Sequence, residues 1–159
     1  MTYPQYKSDF HHIHQSEVYG KNLFRTACRL KLKGERKKKL ELLYQLEIQT
    51  LERYIIFANE SDQKYKFPFW WAVKGYFDGL VFGLLPWSIS MHLLAKGTES
   101  FTAIWQRLKT HSSETDRKFF AYVYAHEKAI EAFAKSELKG ERESTQSILN
   151  LLSQPIKML

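Results

Sequence analysis

From Ile13 to Ala27, and again from Leu40 to Ala58, apolar side chains return every three or four residues. That spacing gathers them on one face of an α-helix and is foreign to the two-residue alternation of a half-buried strand. The first stripe carries Ile13, Gly20, Phe24 and Ala27, widened by Leu23 and Leu30. The second carries Leu40, Leu43, Leu51, Tyr54 and Ala58. Each stripe also holds one acid, Glu17 in the first and Glu47 in the second. Between them stands Gly34, inside LKGER, a pentapeptide that returns around Gly140. A glycine can take the left-handed conformation that closes a helix, so both copies read as helix–glycine–helix corners.

The same periodicity covers most of the remaining chain. Long helices are predicted over about 12–32, 35–59, 67–96 and 113–138, the third kinked or divided near Pro86. Shorter ones are predicted over about 99–110 and 141–152. Thr98 is placed as a cap, and Ser113 with Asp116 as a capping-box start. The expectation is one all-α domain over residues 1–159. A composition of 44% hydrophobic and 15% aromatic residues suits an apolar core without covalent staples. Cys28 is the only cysteine, which excludes an internal disulfide and leaves it a packing role. No secretory pattern opens the sequence, so a cytoplasmic location is expected. The uncharged stretch from Gly79 to Met91 is shorter than the roughly 20 residues of a spanning helix and reads as a buried central segment. The aromatics of FPFWW and LLPW are read mainly as core or as an apolar cofactor wall. The HHIH at residues 11–14 is read as a solvated cluster.

The acids on apolar stripes carry the chemistry. A lone buried carboxylate is costly unless it is paired, protonated or bound to a metal. Glu17 lies 17 residues before Gly34 and Glu47 13 after it. In an antiparallel hairpin that offset is about 6 Å along the axis at ~1.5 Å per residue, so the two carboxylates can face each other. Tyr122, His126, Glu127 and Ile130 share the inner side of the later long helix. Adjacent residues point about 100° apart, and Glu127 is taken as more inward than His126. His92, on the apolar central segment, is a further candidate nitrogen ligand. Glutamates and a histidine from several helices are what a carboxylate-rich metal site in a bundle requires. No Ser-His-Asp order, phosphate loop or nucleotide fingerprint is present.

The helix pair bearing Glu17 and LEIQT, with Glu47, together with YVYAHEKAIEAFAKSEL, resembles the ferritin-like superfamily over most of residues 10–140. The resemblance implies an antiparallel ferritin-like four-helix bundle with extra short helices. It also implies a site for iron or another divalent metal among Glu17, Glu47, His92, His126 and Glu127, with oxidase or hydroxylase chemistry. Where that group places Glu-x-x-His pairs, this chain has Glu47 with Thr50 and Glu127 with Ile130.

Charge leaves another class of function open. The net charge is +7, and the run from Arg29 to Lys39 holds seven basic residues against Glu35. It is read as a solvated corner, or as a contact for an acidic partner or an anionic membrane surface. A non-catalytic helical module that binds a protein partner or an apolar small molecule is the alternative to the metalloprotein. Exposed aromatics suit a homodimer, and without a recognition motif nucleic acid is not the expected partner.

Overall fold

The computed structural model describes residues 4–30, 34–61, 66–114 and 116–156, with Ser100 described by its backbone alone. Residues 31–33 of the basic run, 62–65 of the expected connection and Lys157 lie outside the described residues. Among those described, the chain is all-helical and no strand occurs. The helices are α1 (Tyr6–Leu30), α2 (Glu35–Glu60), α3 (Phe69–Leu84), α4 (Trp87–His111), α5 (Arg117–Lys139) and α6 (Gln146–Leu152).

Both LKGER corners behave as their glycines require. Gly34 has φ 101° and Gly140 φ 71°, a region in which a Cβ is strained. The two copies diverge afterwards: Glu35 opens α2 at once, whereas turns fill 142–145 before α6 begins at Gln146. Ser113 Oγ accepts the backbone N–H of Asp116 at 3.1 Å, but this bond lies in the turn before α5: Asp116 takes the cap position, without a side-chain cap bond, and the expected capping box is not formed. Pro86 divides the central segment, and the chain reverses there. Leu85 is extended, and Ser90 Oγ donates to the Phe82 carbonyl at 2.9 Å across the break.

Several boundaries differ from expectation: α5 starts at Arg117 rather than 113 and α6 at Gln146 rather than 141. The predicted short helix 99–110 is the second half of α4, which runs unbroken past Gly97. Thr98 is not a cap, because its hydroxyl donates to the carbonyls of Leu94 and Ala95 in its own helix. At the other end α1 starts six residues earlier than predicted. Asp9 in its first turns is buried and bound twice, at 3.2 Å, by the Arg107 guanidinium.

Side-chain contacts fix the helix directions. Arg107 near the end of α4 meets Asp9 near the start of α1, so α4 runs back along α1. Phe119 near the start of α5 stacks on Phe57 near the end of α2, and Glu137 near the end of α5 meets Lys39 near the start of α2. α2 and α5 are therefore antiparallel. α6 closes the side formed by α2 and α5. There Gln49 donates to the Leu151 carbonyl at 3.1 Å and Arg53 to that of Gln154 at 2.9 Å.

α3 is held differently. Gly75, Gly79 and Gly83 form a four-residue repeat along one face, and they meet Tyr19, Leu23 and Ala27 of α1 in the same order. The two helices run parallel with their backbones close, because a Cβ at Gly79 would stand 2.5 Å from the Leu23 carbonyl oxygen. With its inner face given to glycine, α3 turns much of its apolar surface outward. The FPFWW aromatics are thus neither core nor cofactor wall for the most part: Phe67, Phe69 and Trp70 are exposed.

At the end carrying both glycine corners, the Glu137 carboxylate gathers three segments. Lys39 Nζ and Trp87 Nε1 each donate to it at 2.7 Å, and Ser144 Oγ donates as well. These donors outweigh burial and hold the Glu137 carboxyl below the usual range.

Candidate metal centre

The apolar core comes in two clusters. One surrounds Phe10, Ile13, Tyr54, Trp105 and Phe120, and the other surrounds Leu23, Leu43, Phe82, Ile130 and Phe133. Glu17, Glu47, His126 and Glu127 each fall, in their own helices, between residues of the first cluster and residues of the second. A polar layer therefore crosses the bundle where water has little access: Glu17 and His126 are each 1% exposed and Glu47 4%.

α1 and α2 bring Glu17 and Glu47 face to face, as their offsets from Gly34 require, and α5 adds His126. One ligand atom from each of these three residues lies within 4.8 Å of the others. His126 Nε2 stands 3.9 Å from Glu17 Oε2 and 3.7 Å from Glu47 Oε1. Both separations exceed a hydrogen bond, which ends near 3.2 Å. Both are shorter than twice a metal–ligand bond of about 2.0–2.2 Å. Glu17 Oε2 has no hydrogen-bond partner, and no Lys or Arg among the described residues pairs with either carboxylate. Arg53, the buried cation nearest in sequence to Glu47, is turned instead to the carbonyls of Gln154 and Pro155 and to the Tyr122 ring.

Thr50 settles how the imidazole is presented. Its hydroxyl proton is committed to the Leu46 carbonyl at 3.0 Å, while its oxygen lies 2.6 Å from His126 Nδ1. A hydroxyl has one proton to give, so Nδ1 carries the hydrogen and Nε2 faces the carboxylates. Orienting a ligand imidazole through its far nitrogen is the usual outer contact of a metal-bound histidine. Thr50 occupies the position three after Glu47 where the ferritin-like pattern has a histidine.

Gly20 makes the remaining room. A Cβ there would lie 2.5 Å from the carboxyl carbon of Glu47 and 2.5–2.6 Å from its oxygens. The glycine on the α1 stripe is thus a cradle for a carboxylate from α2. Nothing in a helical periodicity distinguishes such a glycine from a small core residue, and Gly20 and Thr50 are the residues that sequence reasoning passed over.

The electrostatics follow from crowding. Burial, then the charges of Glu47 and Glu127, hold the Glu17 carboxyl well above the ordinary range. Burial likewise pushes Glu127 up to about 7, against the pull of His126. For His126 burial works to lower the pKa, but the carboxylates of Glu47 and Glu127 outweigh it and raise it.

Glu127 stands beside the three-residue cluster rather than in it, close to the buried indole of Trp105. The expected order of the pair is reversed, since His126 is the one that joins Glu17 and Glu47. Both are buried because α5 has helices on two sides, so a 100° rotation moves a side chain from one neighbour to another without bringing it out. His92 is not brought to the site. It is exposed on α4, with Nδ1 against the Ser88 carbonyl at 3.1 Å, because the fully buried Met91 beside it takes the inward direction. His14 of the HHIH cluster, expected in solvent, is buried and stacked on Tyr54 at 4.9 Å.

A cavity of about 410 Å³ opens between α3 and α4 and reaches inward to Gly20, Glu47 and Glu127. Its sides are mainly apolar, with Leu23, Phe24 and Phe101 among them, and Gly97 of α4 leaves its wall open. Comparison with family models, curated proteins and solved structures gives no match for this chain.

Proposed function

We propose that the protein is a ferritin-like metalloprotein whose Glu17, Glu47 and His126 hold one divalent transition-metal ion, with oxidation of an apolar ligand as its chemistry. The observation that carries the reading is the set of separations between Nε2 and the two carboxylate oxygens, too long for hydrogen bonds and suited to a shared ion. The charges agree. Two ionised glutamates and a neutral imidazole leave −2 in a buried layer without a Lys or Arg partner among the described residues, which a divalent cation neutralises. Imidazole with carboxylate suits iron, manganese or zinc. A redox-active ion held there would supply dioxygen activation.

The chain's own residues have distinct tasks in this reading. Thr50 orients His126, Gly20 admits the head of Glu47, and Glu127, with a pKa of about 7, can hold or release a proton at the inner end of the cavity. The apolar walls bind the ligand and keep water from the polar layer. The four helices that frame the site, α1, α2, α4 and α5, support the ferritin-like arrangement through their directions: α4 runs opposite to α1, and α5 opposite to α2.

A metal-free reading rests on the raised pKa values of Glu17 and His126. A protonated Glu17 and an imidazolium beside an ionised Glu47 would also be neutral. Metal analysis of protein purified without chelator separates the two. The metal reading expects one equivalent of iron, manganese or zinc in the wild type and its loss in Glu47→Ala. Sub-stoichiometric metal that is unchanged in Glu47→Ala would overturn it.

A further inference from the structure

The outward face of α3 takes no part in the candidate centre. Trp70, Phe77, Val81 and Leu84 fall at steps of seven, four and three residues, which places them on a single ridge. Trp70 is 78% exposed and Leu84 75%, and Phe77 and Val81 are both above half. The ridge is about 21 Å long at ~1.5 Å per residue. Ile89 and Leu93 of α4 continue it across the Pro86 break, also exposed. An apolar surface this continuous is unusual on a solvated protein and marks a contact.

Charge identifies the contact. From residue 66 to residue 99 the cations are Lys66, Lys74 and Lys96, all exposed, against the acids Asp78 and Glu99. Lys74 and Asp78 neutralise each other as a pair, with the Tyr19 hydroxyl also donating to Asp78, which leaves Lys66 and Lys96 as the cations of this stretch that face solvent outside that pair. Arg29 and Arg36 stand at the Leu84 end, since Gly83 packs on Leu30 and the Arg36 guanidinium lies over the Trp87 ring at 5.6 Å. An apolar ridge with a basic border is the composition of an interfacial helix on anionic lipid. A second copy fits less well, because a two-fold contact through this ridge would bring its cationic borders together. No helix among the described residues is long and apolar enough to cross a membrane.

The cavity adds an independent observation. Val81 and Leu93, two of the exposed ridge residues, also line it, so the cavity reaches the surface at the ridge. A bilayer against the ridge would therefore meet the cavity where Val81 and Leu93 line it.

We infer that the α3 ridge, with Ile89 and Leu93, is a peripheral docking surface for an anionic lipid bilayer, and that the cavity opens toward that bilayer. The inference does not rest on the metal reading, and protein stripped with chelator is expected to dock equally well.

The test is flotation of the full-length protein with phosphatidylcholine vesicles and with vesicles enriched in phosphatidylglycerol. It compares wild type, Trp70→Glu with Leu84→Glu, and Lys66→Glu with Lys96→Glu. The substituted residues are exposed, so circular dichroism and melting should match wild type. Binding is expected to the anionic vesicles, weakening with salt, and to fall at least tenfold in each double variant. Absence of flotation with either vesicle overturns the inference, as does undiminished binding of Trp70→Glu/Leu84→Glu. Equal binding to both vesicle types overturns the anionic preference. A wild-type dimer in sedimentation that the ridge variant dissociates, without vesicle binding, assigns the ridge to a second copy instead.

Discussion

Replacing Gly20 with alanine separates the centre from the fold. The new Cβ would sit 2.5 Å from the Glu47 carboxyl carbon, whereas ordinary contact begins at 3.4 Å, so the carboxylate must retreat by about 0.9 Å. What it strikes is the end of a flexible side chain, and Glu47 can swing without moving α2. Alanine meanwhile gains about 0.8–1 kcal/mol over glycine inside a helix. Melting of the metal-free variant, measured in chelator, should therefore be unchanged or raised by up to about 4 °C. Metal sites tolerate ligand displacements of only about 0.2 Å, so affinity should fall by at least the ~10–100-fold seen when a ligand's support is lost. Calorimetric titration of chelator-stripped protein with manganese or zinc measures the second effect, and differential scanning calorimetry the first. A Gly20→Ala protein that binds metal like the wild type would refute the cradle. So would one that melts much lower while binding normally, because the clash would then fall on the backbone.

Gly79→Ala should show the opposite pattern. Its Cβ would stand 2.5 Å from the Leu23 carbonyl oxygen and 3.0 Å from Leu23 Cα, atoms that cannot swing aside. Overpacking of this kind costs about 1–3 kcal/mol, only partly offset by helix propensity, so calorimetry should show a Tm roughly 2–8 °C lower. His14 should give the protein an acid-sensitive limb. Burial, then the charge of His11, lower its pKa to about 4, so between pH 6.5 and about 4 the unfolded chain binds the proton that the native state refuses. Stability should therefore fall as pH drops through that window. In urea melts at pH 7 and pH 4.5, His14→Phe, which keeps a ring against Tyr54, should lose less stability than wild type; an equal loss would clear His14.

Much of this was legible from residue order because helices announce themselves by period. Two acids on apolar stripes, 17 and 13 residues from a corner glycine and so offset by little more than one turn, were enough to place Glu17 opposite Glu47. What the period could not decide was direction within a turn. Met91 and His92 differ by 100°, as do His126 and Glu127, and only the neighbours around each helix settle which one faces what. α5, packed on two sides, keeps both of its pair inside; α4, open on one side, sends His92 out. Gly97 and Thr98 looked like a helix boundary because small and hydroxyl residues often stand at ends. Here the hydroxyl bonds within its own helix and the glycine borders a cavity, a tertiary reason that a local pattern does not contain. The outward aromatics of α3 were hidden for a similar cause. A hydrophobic helix reads as buried until its glycines show which side is occupied.

The glycine seam between α1 and α3 has a consequence for how such a molecule can change. α3 is attached through the shape of its backbone, so the residues on its far side contribute little to keeping it in place. Whatever that surface meets can be exchanged for something else, one substitution at a time, without loosening the interior where the glutamates lie. The molecule's address and its chemistry are thus free to evolve separately.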